Sequence, residues 1–154
     1  MKLSPLLLAF TALSLTACFS PVEKPTAEPI AAGWAELSRV IDGDTIEIQD
    51  DVVRIIGIDT PEIGECYFSE ASTHLRTLLG SKPLVLITQP GENRDKYQRL
   101  LRYVHVEEED TGLRMIQDGY ARSYPWFEHP RTEQYREAES EAQNQGNGLW
   151  SACK

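Results

Sequence analysis

Five short strand patterns and three helix patterns predict an α+β domain whose strands form a five-stranded OB-fold β-barrel. The order of the patterns carries this prediction, because one helix pattern stands between the third and fourth strands and two more follow the fifth. The chain has 154 residues, which is enough for one ordinary domain and too few for two. We therefore expect one hydrophobic core, and the fold class alone does not define a function.

The first three strands are predicted from alternating and apolar segments at about 34–41, 44–49 and 52–58. Asp42-Gly43 and Gln49-Asp50 separate these segments and have the composition of tight turns. A helix is predicted over 67–80, because apolar residues recur there at helical spacing.

The second half of the domain contains the remaining two strands and two helices. The strands are predicted at 83–89 and 100–106, and the helices at about 112–118 and 131–145. The acidic run EEED at 107–110 lies between the last strand and the first of these helices. We expect it to be a solvated hairpin end on the far side of the domain.

The beginning of the chain has the composition of an export signal. Residues 1–17 carry one lysine, a short apolar run and then small residues, which is typical of a signal peptide and too short to span a bilayer. The segment LTAC at 15–18 resembles the bacterial lipobox, which predicts lipidation of Cys18. An ordinary signal peptide with an incidental cysteine is the alternative.

The proline-containing segment 18–33 is predicted to be a flexible tether between this cysteine and a folded domain over 34–154. The chain is therefore expected to be an exported lipoprotein, anchored at the outer membrane, in the periplasm or at the cell surface, with secretion as the alternative. The anchor makes the membrane one expected partner, and we expect the domain to be a monomer.

Two further cysteines, Cys66 and Cys153, are predicted to form a disulfide, because exported proteins lie where thiols tend to pair. The bond would close a loop of most of the domain, worth about 4 kcal/mol in the chain-entropy picture. Two free thiols are the alternative.

The formal net charge of −9 argues against a broad surface for binding polyanions. It leaves open a locally basic cleft.

Carboxylates stand at the ends of the most apolar strands. Asp44 begins the second predicted strand and Asp59 ends the third, so antiparallel pairing would bring both to one end of the sheet. Two hard oxygen ligands suit calcium or magnesium, whereas no cysteine and histidine spacing supports zinc. Taken singly, each carboxylate is more often structural or solvated, and Asp42 with Gly43 can be explained as a turn alone.

Two arginines accompany these carboxylates. Arg54 lies within an apolar strand, where an unpaired guanidinium would be costly, and Arg99 lies in the connection between the fourth and fifth strands. Arginine can clamp phosphate oxygens and stabilise charge that develops in a transition state. An ion pair on an exposed strand face is the alternative for Arg54.

Glu62 follows Pro61 and could orient an attacking water, or it could be a loop carboxylate without a chemical role. Arg54 and Asp59 have opposite parity along a strand, so facing a common site requires a bend. We expect that bend at Gly57.

Six short segments occur in an order and spacing that resemble the staphylococcal nuclease (thermonuclease) family. They lie within 36–150 and read VIDGDT (40–45), RIIGIDTPE (54–62), EAS (70–72), DKYQR (95–99), DGYAR (118–122) and GLW (148–150). Any one of them is a weak signal, whereas the full set in this order is specific. The resemblance implies a staphylococcal nuclease-like fold and a calcium-dependent phosphodiesterase, binding one calcium ion, that cleaves DNA and RNA to products with a 3′-phosphate.

The resemblance also implies roles for individual residues of this chain. Asp44 and Asp59 match the calcium carboxylates, and Thr60 matches the residue whose backbone carbonyl binds the ion. Glu62 matches the catalytic glutamate, and Arg54 and Arg99 match the arginines that bind the scissile phosphate. Lys96 and Tyr97 match positions that contact nucleotide phosphate, and Asp42 borders the site as a supporting group.

Two segments depart from the family pattern. The DKYGR segment of the family has become DKYQR, with Gln98 at the glycine position, which could crowd the loop that carries Arg99. The segment SYPWFEHP does not align cleanly, so Tyr124, Trp126 and Phe127 are candidates for stacking on bases, with core packing as the alternative.

Two other functions remain open on the sequence alone. A catalytically silent OB-fold module could bind nucleic acid or a protein. Against it counts the presence of all five residues assigned to the ion and the reaction, which are Asp44, Arg54, Asp59, Glu62 and Arg99. A structural envelope lipoprotein is the second, and the acidic surface is its only support.

Overall fold

The computed structural model of the chain describes residues 33–153. This part of the chain contains nine strands: β1 (Gly33–Ala35), β2 (Arg39–Val40), β3 (Thr45–Ile48), β4 (Asp51–Ile55), β5 (Ile58–Asp59), β6 (Leu84–Ile87), β7 (Leu100–Val106), β8 (Glu109–Asp110) and β9 (Arg122–Ser123). It also contains four helices: α1 (Phe68–Leu79), α2 (Thr111–Gln117), α3 (Thr132–Gln145) and α4 (Leu149–Ala152).

The main sheet has the strand order β1-β6-β7-β4-β3-β2, with β8 added to β7. Its two outer strands, β1 and β2, are consecutive pieces of one short chain segment, since β1 pairs with β6 and β2 pairs with β3. That segment therefore joins the two ends of the sheet, as the rolled sheet of an OB fold requires. The α+β OB-type fold is confirmed. The prediction of a single first strand over 34–41 was wrong. The segment forms two strands, β1 and β2, which pair with β6 and β3 respectively.

The third predicted strand, 52–58, is also divided, and the expected bend at Gly57 is confirmed. Gly57 has φ of 81°, a left-handed conformation that favours glycine. A Cβ atom there would lie 2.3 Å from Nε2 of His129, so the position also has no room for a side chain. After the bend, β5 leaves the main sheet and pairs with β9.

The core lies inside the barrel and beneath the helices. One face of β3, β4, β6 and β7 is buried, and α1 adds Ala71, Leu75 and Leu79 to the same core. Tyr135 of α3 is also fully buried. These apolar faces explain why the longer elements were predictable, whereas β8, β9 and α4 were missed because two to four residues carry no clear period.

The acidic run at 107–110 is only partly the solvated hairpin end that the sequence predicts. Glu107, Glu108 and Glu109 are exposed, but Asp110 turns inward at the beginning of α2. Its side chain accepts hydrogen bonds from the Leu113 N–H and the Tyr135 hydroxyl and pairs with Arg131. The three glutamates of the run therefore face solvent, whereas its aspartate faces the interior of the domain.

The predicted disulfide between Cys66 and Cys153 is present. It joins the segment before α1 to the residue after α4. The predicted signal peptide, the lipidated Cys18 and nearly all of the tether lie outside the described residues, and β1 begins at Gly33. Across 33–153, no helix combines the length and apolarity needed to cross a bilayer.

Candidate active site

Asp44 lies directly before β3, and its carboxylate is held by four donors. Oδ1 accepts hydrogen bonds from the Thr45 hydroxyl (2.9 Å) and from Nε of Arg54 (3.0 Å). Oδ2 accepts from the backbone N–H of Thr60 (3.1 Å) and from its hydroxyl (3.0 Å). Asp44 is only 6% exposed, so these bonds replace the water that it loses.

The approach of Thr60 to Asp44 depends on Gly43. A Cβ atom on Gly43 would lie 2.7 Å from Oγ1 of Thr60. The turn predicted at Asp42-Gly43 is present, with Oδ1 of Asp42 accepting from the Asp44 N–H at 3.0 Å. Asp42 thus orients the backbone of Asp44, and Gly43 leaves the space for the neighbouring loop.

Arg54 of β4 connects the two carboxylates that the sequence analysis assigns to a metal. Its Nη2 lies 3.8 Å from Oδ1 of Asp59, and its Nε contacts Asp44. Thr45 pairs with Arg54 across the sheet, and the bend at Gly57 brings Asp59 back toward the guanidinium. The structure therefore gathers Asp44, Arg54 and Asp59 into one cluster.

The charges in this cluster do not balance. Burial raises the pKa of Asp44, Arg54 lowers it, and the nearby Asp42 carboxylate raises it further, so that the pKa lies above its ordinary value. Three carboxylates, of Asp42, Asp44 and Asp59, thus stand against one guanidinium. A further cation would reduce this excess of negative charge.

The donor set suits a hard divalent cation. Asp44 and Asp59 offer carboxylate oxygens, which calcium and magnesium prefer, and the Asp59 side chain is 43% exposed, so waters can reach it. Among residues 33–153, no group of three or more His, Cys, Asp or Glu side chains is placed to hold a metal. An ion held by Asp44 and Asp59 would need water or backbone oxygens to complete its coordination.

A cleft of about 790 Å³ opens beside Arg54. Its walls carry three cationic side chains and two acidic ones, so it is locally basic in a chain with a net charge of −9. The residues of the cleft that the sequence analysis singled out are Arg54, Lys96, Tyr97, Arg99, Tyr124, Trp126 and Phe127. Arg54 is thus the residue that belongs to both the carboxylate cluster and the cleft.

Asp95 organises the loop that carries Arg99. Its Oδ1 accepts from the backbone N–H groups of Tyr97 and Arg99, and its Oδ2 accepts from Nε of Arg99 at 2.6 Å. Burial raises the pKa of Asp95, but these hydrogen bonds outweigh burial, and the pKa is lowered. This role of Asp95 was not predicted from the sequence, although an aspartate four residues before an arginine is a recognisable signal.

Gln98 lies in the same loop and has φ of 67°. This is the left-handed region in which side chains other than glycine are disfavoured. Glycine would adopt this conformation without strain, which agrees with the glycine that the family pattern implies here. Gln98 does not prevent the loop from closing, since its N–H donates to the carbonyl of Asp95 at 2.9 Å.

Aromatic side chains stand along the cleft. Trp126 is 82% exposed and Tyr97 is 67% exposed, so core packing does not explain either. Tyr124 lies beneath Arg54, with the guanidinium carbon 5.9 Å from its ring centre, and its ring also meets Phe127. Exposed rings beside cations are typical of surfaces that bind single-stranded nucleic acid.

Glu62 does not join this assembly in the structure. It is exposed in the segment between β5 and α1, and its backbone N–H donates to the side chain of Glu65 at 2.9 Å. Within the described chain it makes no hydrogen bond or ion pair with Arg54 or Asp59, and it does not line the cleft.

Comparison with known proteins adds a second line of information. The family model described as "Staphylococcal nuclease homologue" matches residues 52–152. Endonuclease YncB of Bacillus subtilis is 37% identical over 128 residues, covering 75% of this chain and 60% of the relative. The thermonuclease of Staphylococcus intermedius is 34% identical over 128 residues, covering 74% of each chain.

A further relative, the SPbeta prophage-derived endonuclease YokF of Bacillus subtilis, is 36% identical over 128 residues. The match covers 75% of this chain and 43% of YokF. The chain therefore spans about half the length of the two Bacillus relatives.

Proposed function

The chain belongs to the staphylococcal nuclease family, and from this premise we propose that it is a calcium-dependent phosphodiesterase that hydrolyses DNA and RNA to products with a 3′-phosphate. The observation that carries the proposal is the position of Arg54. Its guanidinium contacts Asp44 and Asp59 on one side and lines the cleft on the other. A phosphate bound in the cleft would therefore lie beside the two carboxylates suited to a cation.

Arg54 and Arg99 would bind the non-bridging oxygens of the scissile phosphate. Both line the cleft, and within residues 33–153 the Nη groups of Arg99 have no hydrogen-bond or ion-pair partner, since Asp95 binds Nε and the guanidinium lies over the ring of Tyr97. Guanidinium groups held in advance stabilise the negative charge that grows as the phosphate is attacked. Lys96 and Tyr97, in the same loop, would hold the neighbouring phosphate.

Asp44 and Asp59 would hold one calcium ion, together with the backbone carbonyl of Thr60. When bound, calcium would withdraw charge from the phosphate and orient it for in-line displacement. Asp42 supports this arrangement by fixing the backbone N–H of Asp44. Thr60 supports it with its own N–H and hydroxyl, which hold the Asp44 carboxylate in place.

Glu62 would accept a proton from the attacking water or orient that water. Glu62 is exposed two residues after Thr60, so its carboxylate can approach the phosphate when substrate is bound. Tyr124 and Trp126 would stack on bases, which favours single-stranded or frayed substrates without strong sequence preference.

We also propose that the chain is exported and anchored to a membrane through lipidated Cys18, and that it acts as a monomer on nucleic acid outside the cytoplasm. Its acidic composition suits a protein that binds polyanions only within a small cleft. Replacement of Cys18 by serine should move the protein from the membrane fraction to the soluble fraction.

The function is tested by assaying the full chain, purified in detergent, on single-stranded DNA and on RNA with calcium or with a chelator. We expect calcium-dependent cleavage, and 3′ ends that accept extension only after phosphatase treatment. Glu62→Ala and Arg99→Ala should each lower kcat by about 100-fold or more. Binding without cleavage would favour a catalytically silent nucleic-acid-binding module. The absence of both binding and cleavage would favour a structural lipoprotein.

A further inference from the structure

The segment 62–66, called here the Glu62 loop, is bonded mainly to itself. Every residue of the loop is exposed, and Ile63 is 84% exposed. The Glu62 N–H donates to the side chain of Glu65, and the Glu65 N–H donates to the carbonyl of Glu62, both at 2.9 Å. The Phe68 N–H at the beginning of α1 donates to the carbonyl of Glu65. Within residues 33–153, no recorded hydrogen bond or ion pair ties this loop to the barrel.

One covalent bond does tie the Glu62 loop to a distant element. Cys66, the last residue of the loop, is bonded to Cys153, which lies 87 residues later. The Cys153 N–H donates to the carbonyl of Leu149 at 2.9 Å, so the cysteine is held against α4. Among residues 33–153, the disulfide is therefore the bond that connects the Glu62 loop to a part of the chain distant in sequence.

The helix α4 is itself firmly placed. Leu149 is buried, and its N–H donates to the carbonyl of Gly119, in the loop after α2, at 2.8 Å. Gly119 and Gly148 approach so closely that a Cβ on Gly148 would lie 2.3 Å from the Gly119 carbonyl oxygen. The side chain of Asn147 donates to the carbonyl of Gln117 at 2.9 Å. The disulfide thus connects a locally bonded loop to a fixed part of the domain.

The other restraint near the loop acts on α1 and not on Glu62. Tyr67, which follows Cys66, places its ring 5.2 Å from the ring of Tyr120. This contact holds the beginning of α1. At the opposite end, Pro61 is buried next to Thr60. Between these two ends the loop bulges into solvent with Glu62 on it.

We propose that the Cys66–Cys153 disulfide is a positioning element of the active site, which restricts the Glu62 loop and so keeps the Glu62 carboxylate within reach of the attacking water. This inference rests on the proposed function, because it takes its meaning from the role of Glu62. A catalytic group loses rate steeply when it leaves its productive position, and a displacement of about 1 Å can lower the rate about 100-fold. Opening the disulfide releases the end of the loop four residues from Glu62, and the nuclease becomes slower without losing its cleft.

The test compares the full chain, purified in detergent, with the Cys66→Ser/Cys153→Ser double variant. Cys18 is retained in both proteins. The substrate is single-stranded DNA with calcium, and each assay is run well below the melting temperature of the variant concerned. We expect kcat to fall about tenfold or more. We expect KM to change by less than about twofold, since Arg54, Arg99 and Lys96 remain in place.

The same two cysteine substitutions are then made in a Glu62→Gln background and measured under single-turnover conditions. If the disulfide acts through Glu62, opening it in this background should change the residual rate by less than about twofold. An equal fall in both backgrounds would mean that opening the bond only loosens the domain, and would overturn the inference.

Chemical reduction of the unaltered chain provides an independent arm. A dithiol reductant supplies two electrons and two protons, so that Cys66 and Cys153 become thiols and the reductant becomes a disulfide. The thiol count should rise by two, kcat should fall as in the double variant, and reoxidation should restore it. An unchanged kcat on opening the bond in an active enzyme would overturn the inference alone, whereas an oxidised wild-type protein that never cleaves would overturn the proposed function with it.

Discussion

Two aspartate–arginine pairs lie in largely apolar surroundings of this domain, and they are built differently. The cleft pair is Asp44 with Arg54, and Arg54 continues to Asp59 at the edge of the cleft. The interior pair is Asp110 with Arg131, enclosed between the barrel and α3. Asp44 and Arg54 lie in one hairpin, formed by β3 and β4, whereas α2 and β9 separate Asp110 from Arg131 along the chain, and both pairs place charge where water is scarce.

The interior pair is matched charge for charge. Asp110 also accepts from the Tyr135 hydroxyl at 2.9 Å, and Arg131 lies over the ring of Tyr103, with its guanidinium carbon 4.0 Å from the ring centre. Burial lowers the pKa of Arg131, but Asp110 outweighs burial, and the pKa is raised, so the charged form is favoured. Such a pair is complete without a ligand.

The cleft pair has the opposite balance. Burial raises the pKa of Asp44 more than Arg54 lowers it, and the carboxylates of Asp42 and Asp59 add further negative charge. The contrast teaches that a balanced buried pair holds the fold together, whereas a pair with excess charge beside a cleft is suited to receive a cation and a substrate.

The largest expected effect breaks the cleft pair without removing its charge. In Arg54→Lys, the planar fork that contacts Asp44, Asp59 and the cleft is replaced by a single ammonium group. We expect kcat/KM on single-stranded DNA to fall by about 100-fold or more, with little change in melting temperature. Arg39→Lys, in the exposed pair with Glu47, is the matched control and should retain full activity. A fall of less than tenfold in Arg54→Lys would contradict the assignment.

The next effect breaks the interior pair. Asp110→Ala leaves the half-buried Arg131 without its carboxylate and removes the acceptor for the Leu113 N–H and the Tyr135 hydroxyl, which together should lower the free energy of unfolding by about 3 kcal/mol or more. Urea denaturation measures this loss, and kcat of the folded fraction should be unchanged. Glu109→Ala removes the exposed neighbouring carboxylate and should stay within about 0.5 kcal/mol of the wild type. A stable Asp110→Ala protein would show that the interior pair is not structural.

The third prediction concerns Asp44 and calcium. Because its pKa in the folded protein is raised above 3.8, ionisation of Asp44 opposes folding, so the stabilisation is present below that value and lost as pH rises through the raised pKa. At pH 7 without calcium, Asp44→Asn should therefore melt at the same temperature as the wild type or higher. Calcium should raise the melting temperature of the wild type and not that of Asp44→Asn.

The control for this prediction is Asp50→Asn, in an exposed turn away from the site, which should keep the full response to calcium. An equal calcium shift in Asp44→Asn and in the wild type would place the ion elsewhere.

The smallest expected effect concerns the loop that carries Arg99 at the cleft. Gln98→Gly removes the strain of a side chain at φ of 67° in the loop that carries Arg99. We expect the free energy of unfolding to rise by about 1 kcal/mol, measured by urea denaturation. Gln49→Gly, at φ of 54° in the turn between β3 and β4, is a matched substitution away from the cleft. A destabilised Gln98→Gly protein would show that the side chain contributes more than its backbone strain removes.

The elements that could be predicted are those with enough residues to show a period. The predicted strand over 100–106 has the limits of β7, and the limits of α1, α2 and α3 differ from the predictions by at most one residue. The division of the predicted strands 34–41 and 52–58 could not be read from the period alone. It depends on which strand each half pairs with in the folded sheet. Gly57 is the exception, since the opposite parity of Arg54 and Asp59 already required a bend there.

Hydrophobic period and motif spacing are properties of the chain, so the amino-acid sequence was sufficient to predict the fold class, the family and a set of candidate residues for the chemistry. Only the tertiary structure decided which charges meet. It joined Arg54 to Asp44 and Asp59, gave Asp95 the task of holding Arg99, and turned Asp110 inward from an acidic run toward Arg131. The physical reason is that the energy of a charge depends on its distance from other charges and on its burial, and neither is set by its neighbours along the chain.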